Sequence, residues 1–355
     1  MTVFFLIVMA ICLAGIRPVP RDEFNIGYLS PTDTEWIKGL FTLLIFISHF
    51  SKFIPCDSIL DHHYIVLKLK MDQLVVSPFL FLSGYGVFVS IAEKPGYVKK
   101  MPMNRIWKTA FQYHAALLLF LIYQLLQGNR YSFCQLFQAF ISWKGIGNSD
   151  WYVFVILLFY CITFFSFCVF RNGTDSALFL QGILSVVLLV FLRYTKCEDY
   201  WWYDTLFAYP AGMYFARYKA DIDKKVMNST VSWFITLLAS FICFLVLYRY
   251  RVRVAVREVM AVLFPWIILL FGMKIRIKSS ILDYFSRHLF SIFILQRLPM
   301  MALKGKACAA NEFLYFVLCF VITIGLSWGF DKMVPQIWKR MPCLVQKRQN
   351  GLILK

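Results

Sequence analysis

The sequence predicts an all-α, polytopic transmembrane helix bundle of about 10–11 membrane helices with no soluble domain. Three observations carry that expectation. The 355 residues are 60% hydrophobic and only 16% charged, whereas soluble domains carry roughly 25% charged residues. The apolar residues gather into eleven runs near the length a bilayer demands, about 20 residues each. Between those runs no polar stretch exceeds roughly 20 residues, too little to build an independent core.

The runs fall near 2–16, 36–56, 72–92, 107–127, 151–170, 176–194, 201–218, 231–249, 254–273, 284–302 and 312–334. The first is short. It lacks a basic leading region and a clean small-x-small cleavage site, so it reads as a retained helix rather than a signal peptide. The runs at 201–218 and 284–302 are the next weakest. Residues 133–143 are apolar but too short to span, and read as interfacial or re-entrant. The chain thus divides into an extra N-terminal apolar segment and linker over 1–30, a bundle over 31–340, and a basic tail over 341–355.

Charge orients the bundle. The net charge is +18, which in a soluble protein would suggest nucleic acid, but no basic stripe lies on a soluble domain. The partner implied is membrane lipid, with no nucleic acid. Lys and Arg concentrate in alternate loops: 23 of the 37 fall near 17–38, 94–108, 171, 217–225, 274–287 and from 332 onward. By the positive-inside rule those loops are cytoplasmic, with the N-terminus outside and the C-terminus inside. Arg249, Arg251, Arg253 and Arg257 run against this rule, since they fall on the external side. Either a helix boundary is misplaced there, or these arginines face a polar cavity. In the second case Arg253 and Arg257 line an external vestibule and contact a substrate.

Ten cysteines are scattered, mostly inside apolar runs such as those holding Cys161, Cys168, Cys243 and Cys319, and no Cys-x-x-Cys pair occurs. They read as small buried hydrophobes, not as ligands or disulfides. His62 and His63 read as an interfacial pair, and no metal site is expected.

Chemistry begins with the run from Trp36 to Phe50. Ten residues separate Lys38 from His49. On a helix this places both side chains on one face, about 16 Å apart along the axis. A cation then sits at one membrane edge and an imidazole near mid-bilayer. Ionisable groups inside a membrane are costly and by default functional, and a neutral imidazole can take a proton near neutral pH. A lone histidine bonded to a neighbouring helix, with a snorkelling lysine, would give the same residues without chemistry.

Two further features follow in order. Phe79 to Gly86 includes Ser83-Gly84-Tyr85-Gly86, small residues that let helices approach closely. A basic loop then carries Lys99, Lys100, Arg105 and Lys108, which satisfies the positive-inside rule and also suits a phosphate-bearing cofactor. Together this ordered set resembles the acyltransferase 3 family of integral membrane acyltransferases. The resemblance rests on Lys38 with His49, where the family more often has Arg at the first site. It continues with Phe81 to Tyr85, Asn104-Arg105-Ile106, Trp151-Tyr152 and Tyr209-Pro210-Ala211-Gly212, and spans roughly 30–330. One departure stands out. Gln296 occupies a place where the family often carries histidine, and glutamine cannot act as a proton-transfer base.

The resemblance implies an O-acyltransferase moving an acyl group, usually acetyl from acetyl-CoA, to a sugar hydroxyl of a cell-surface polysaccharide or lipid-linked glycan. His49 would be the catalytic base or would itself carry the acyl group. Lys38, Arg105, Lys108 and Ser83 would serve the acyl-CoA donor. Trp151, Tyr152, Arg253, Arg257 and Gln296 would serve the acceptor. It also implies a multi-pass protein of a bacterial inner membrane. The rival reading is a glycan or lipid transporter or flippase, which shares the apolar bundle and buried polar groups. No internal repeat supports it.

Overall fold

The computed structural model of the chain describes residues 1–55, 59–171 and 173–340. The expected tail over 341–355 lies outside the described residues. What is described is a helical membrane bundle, as the composition predicts.

In chain order, α1 (Thr2–Ala14) leads into strand β1 (Ile16–Pro18), then α2 (Glu35–Phe50), α3 (Ile59–Met71) and α4 (Ser77–Glu93). Next come α5 (Tyr97–Met101), a π-helical stretch over Pro102–Trp107, α6 (Lys108–Leu126) and α7 (Phe133–Phe140). Helices α8 (Trp151–Val169), α9 (Thr174–Thr195), α10 (Ala208–Val226), α11 (Thr230–Tyr248) and α12 (Val254–Gly272) follow. Strand β2 (Ile275–Ile277), the short helices α13 (Ser280–Arg287), α14 (Leu289–Leu295) and α15 (Arg297–Leu303), and the long α16 (Glu312–Arg340) complete the chain. Seven helical stretches among the described residues are long and apolar enough to cross a membrane. The other expected segments are short (α1, α2), carry a charged C-terminal half (α10), or are broken into pieces (α13–α15).

Within the stretch 133–143, residues 133–140 form α7, a single amphipathic helix closed by a Ser132/Gln135 capping box, which is too short to span, as expected. The segment expected at 284–302 is interrupted at His288 and Gln296. Carbonyls near the breaks are met by side chains: Ser291 donates to the His288 carbonyl, Gln296 to that of Phe293, and Tyr315 to that of Met300. A membrane helix tolerates a break only where neighbours resatisfy its backbone in this way. Beyond the helices, β1 and β2 pair antiparallel, with Arg17 opposite Arg276.

Helix α2 sits at the centre. It is apolar on nearly every face and 12 of its 16 residues are buried, the pattern of a helix surrounded by others. By contrast, Ser240 alone is buried on α11, whose apolar residues face outward as lipid-exposed ones do.

Small residues bring particular helices together. A Cβ at Gly84 would lie 2.0 Å from the Tyr209 carbonyl oxygen, and one at Gly212 would lie 2.0 Å from that of Phe81. The backbones of α4 and α10 therefore touch, and each glycine is the space the other helix needs. Gly39 does the same for α2 against α13, where a Cβ would fall 2.1 Å from the Leu282 carbonyl oxygen.

Candidate functional site

The C-terminal end of α2 opens into a cavity of about 730 Å³. Its walls come from five places: His49 and Lys52 at the end of α2, Lys68 on α3, the segment 143–151, the loop 195–202, and Phe293 with Arg297 on α14 and α15. These parts are far apart in the chain, and the tertiary fold alone brings them to one end of the bundle.

His49 borders this cavity. Its Nδ1 is buried and has no hydrogen-bond partner, and its ring leans on Phe293 at 6.2 Å between centroids. The charged groups acting on it are Lys52, Arg297 and Lys68, all cations. Among the described residues no carboxylate orients the imidazole, as one does in the familiar serine triad. A buried, unsatisfied imidazole nitrogen beside a cavity with polar walls is a free position for a proton or a bond. The surrounding cations would stabilise negative charge developing next to it.

The segment 143–151 is held in an unusual shape. Ser142 adopts φ 59°, a left-handed conformation that costs a non-glycine residue roughly 1–3 kcal/mol and recurs at functional sites. Asp150 accepts hydrogen bonds from the amides of Gly145 (2.6 Å) and Trp151 (2.8 Å), which closes the turn and caps α8. Burial pushes the Asp150 carboxyl above the usual carboxylate range, against the pull of those amides and of Lys196. Opposite it, the Lys196 ammonium lies between the rings of Trp143 and Trp202, 4.0 and 4.1 Å from their centroids, and donates to the Trp143 carbonyl. Burial pulls Lys196 below the ordinary lysine range, while Asp150 and Asp199 pull it back. A cation held between two indoles is a rigid strut, worth about 0.5–2 kcal/mol per aromatic contact.

Away from the cavity, polar side chains continue into the bundle. Arg105 lies in the π-helical stretch, donates to the Tyr97 hydroxyl at 2.8 Å, and sits 6.0 Å from the centre of the Tyr160 ring. Ser83 interacts with the hydroxyls of both Tyr152 and Tyr160. Tyr152 in turn lines a small apolar void with Thr42, Phe293 and Gln296. The Gln296 amide donates to the Phe293 carbonyl at 3.2 Å, and its carbonyl oxygen is buried without a partner. Ile45, Val76 and Phe293 border both this void and the His49 cavity, so they form the partition between the two.

The structure brings some expected site residues together and not others. Trp151 shares the cavity with His49, while Tyr152 and Gln296 lie just behind Phe293. Ser83 and Arg105 belong to the interior tyrosine cluster. Lys38 stands near the other end of α2, half-buried, with Glu35 the nearby charge acting on it. No hydrogen bond joins it to Arg105. Lys108 is exposed at the start of α6.

Arg253 and Arg257 do not line the His49 cavity. Arg257 pairs with Asp204 at 3.0 Å, donates to the Arg251 carbonyl, and lies over the Tyr200 ring in an adjacent smaller pocket. Arg253 is exposed on the loop, 5.9 Å from the Tyr250 ring centre. Glu258 has a structural task. Its carboxylate accepts from the amides of Leu206 (3.0 Å) and Phe207 (2.7 Å), the free donors at the start of α10.

Sequence reasoning missed Arg297, Lys68, Asp150 and Lys196 as cavity residues. The three cations read as ordinary loop charge, and Asp150 carried no signal of its own. A hint existed in the cluster Tyr200-Trp201-Trp202, aromatics concentrated in a loop beside Lys196.

Residues 33–332 match the acyltransferase 3 family, described as an acyltransferase domain. That match covers most of the chain. The chain belongs to this family and is an integral membrane acyltransferase. No curated protein and no solved structure matches it.

Proposed function

We propose that the protein transfers an acyl group, acetyl in the first instance, from acyl-CoA to a sugar hydroxyl of a cell-surface polysaccharide or lipid-linked glycan, in a bacterial inner membrane. The observation that carries this reading is His49, an imidazole with an unpartnered buried nitrogen at the edge of a 730 Å³ cavity walled by tryptophans and cations. Such a cavity is large enough for one or two sugar rings. Aromatic walls with a few polar groups suit a ligand that presents both apolar faces and hydroxyls.

In the direct route, the acceptor hydroxyl gives its proton to His49 as its oxygen attacks the thioester carbonyl. The carbon–sulfur bond then breaks, and the departing thiolate takes the proton from the imidazolium. In the relay route, the imidazole nitrogen attacks the thioester carbonyl and the carbon–sulfur bond breaks to release CoA thiolate. The acceptor oxygen then attacks the acyl-imidazole, the carbon–nitrogen bond breaks to restore His49, and the hydroxyl's proton passes to the thiolate. Either route places negative charge on the former carbonyl oxygen, close to Lys52, Lys68 and Arg297.

The charge bias of the loops puts the His49 cavity on the external side and Lys38 and Arg105 toward the cytoplasm. On this reading the cytoplasmic cations meet the phosphates of CoA. The seam of Tyr160, Ser83 and Tyr152 then leads the acyl arm toward the partition at Phe293.

Labelled acetyl-CoA incubated with membranes tests the activity. Label should pass to glycan only where the protein is present, and His49→Ala should lower transfer about 10²–10⁴-fold at unchanged membrane abundance. Wild-type turnover by a well-expressed His49→Ala protein would remove His49 from the chemistry. Glycan movement across the membrane without acyl transfer would favour the transporter reading.

A further inference from the structure

We propose that the cavity beside His49 is built for a negatively charged saccharide, whose carboxylate or phosphate is seated on Arg297 with Lys52 and Lys68 close by. This rests on the acceptor reading above and narrows the class of acceptor.

Arg297 carries the argument. It is the first residue of α15, half-buried at the edge of the cavity. Its guanidinium makes one long hydrogen bond, 3.4 Å to the Asn148 carbonyl, and no carboxylate lies within ion-pair distance among the described residues. A partly buried arginine left with most of its five donors unused is costly, and the cost is relieved when an anion arrives. Its planar fork suits a carboxylate or phosphate held by two parallel bonds.

Asp150 is the neighbouring carboxylate that acts on Arg297, but it forms no ion pair with it among the described residues and leaves the guanidinium's donors unused. Both oxygens of Asp150 take backbone amides, of Gly145 and Trp151. Glu198 and Asp199 border the cavity from the loop 195–202, with Glu198 exposed, and neither forms an ion pair with Arg297 among the described residues. Of the other cations at this end, Lys196 is clamped by two indoles, Arg257 is paired with Asp204, and Lys144 is exposed at the cavity's border. The field at His49 is therefore set by Lys52, Lys68 and Arg297. Lys68 donates to Ser51 at 2.6 Å, which fixes its ammonium beside the end of α2.

The aromatic wall argues for a sugar rather than a bare ion. Lys196 covers faces of Trp143 and Trp202, leaving Trp151 and Trp201 to meet a ring. The C–H face of a pyranose is apolar and packs on an indole, while its anionic substituent points at the guanidinium. A neutral sugar would leave Arg297 unpaired. The discrimination expected from one charge-assisted pair is about 10- to 100-fold.

The same chemistry has a second source, since coenzyme A also carries phosphates. Calorimetric titration of the purified full chain in detergent separates the two and needs no turnover. The probes are a glucuronate-containing tetrasaccharide, its carboxyl-reduced neutral counterpart, the same neutral sugar bearing a phosphate, and coenzyme A.

The expected result is that the uronate or the phosphorylated sugar binds at least tenfold tighter than the neutral one. Arg297→Gln should close that gap, and Arg297→Lys should retain part of it. Equal affinity for charged and neutral sugars would overturn the proposal, as would no saturable binding of either anionic sugar. Tighter, Arg297-dependent binding of coenzyme A would assign the cavity to the donor and overturn it as well. The wild-type comparison stands even if Arg297→Gln fails to fold. The titration reads binding without turnover, so the anion preference and the transfer chemistry fail or stand separately.

Discussion

Two polar residues on α2, a helix turn or more from its ends or at its last turn, organise the proposed chemistry at opposite ends of one buried rod. Lys38 is argued to meet donor phosphate, so Lys38→Ala and Arg105→Ala should each raise the acetyl-CoA KM about tenfold, or roughly 1.4 kcal/mol, more than they alter acceptor preference. Lys38→Arg should keep substantial activity, because both side chains pair with phosphate. Steady-state kinetics with varied donor check this, and equal inactivity of Lys38→Arg and Lys38→Ala would end the phosphate role. Asp150 gives a pH prediction. Burial raises its folded pKa above the unfolded value of about 3.9. The folded chain then holds a proton where the unfolded chain has lost it. The stability linked to this group is full below the unfolded pKa and declines as pH rises through the folded pKa. Asp150→Asn retains an oxygen to accept an amide and should flatten that decline in thermal midpoint between acidic and neutral pH. Parallel curves for the two proteins would show that Asp150 does not control it.

At the scale of elements, the contact between α4 and α10 joins two motifs that lie far apart in the chain, Phe81 to Tyr85 and Tyr209 to Gly212. Their glycines are mutual cavities for opposing carbonyls. Gly84→Val and Gly212→Val should force the helices apart and sharply reduce the yield of folded protein in membranes. Gly86→Ala should be tolerated, since nothing lies within 4 Å of a Cβ there. Size-exclusion profiles of the three variants decide it, and a monodisperse, wild-type-like Gly84→Val would contradict the close approach. The small-residue pattern was legible in the sequence, but its partner was not, because close packing leaves no trace of which helix fills the gap. Helix α3 was not legible either. It lies in a region of mixed charge read as loop, and it supplies Lys68 to the cavity.

For the whole molecule, the basic run at 249–257 bears on orientation. Helices α11 and α12 end and begin within about a residue of the expected boundaries, so a misplaced boundary does not explain the run. The loop lies at the same end as the His49 cavity, since Leu69 and Gln73 border both that cavity and the pocket holding Arg251 and Arg257. Pairing of Arg257 with Asp204 gives one of these charges a structural reason to be there. If that end faces outward, Val252→Cys, at an 87% exposed position, should react with a membrane-impermeant thiol reagent on intact cells in a cysteine-free background. Reaction only after lysis would invert the bundle and move the His49 cavity to the cytoplasm.

Composition and run length by themselves determined the membrane bundle, because the bilayer demands a long apolar stretch wherever the chain crosses it. Helical period determined that Lys38 and His49 share a face of α2, and the order of short motifs was enough to resemble the family that the chain proves to belong to. The tertiary structure alone decided what surrounds His49. Arg297, Lys68, Asp150 and Lys196 reach the cavity from separate elements, and a contact between distant segments has no local signature in any one of them. It also decided which charges are structural, since Arg257 and Glu258 are read only once Asp204 and the start of α10 are seen beside them.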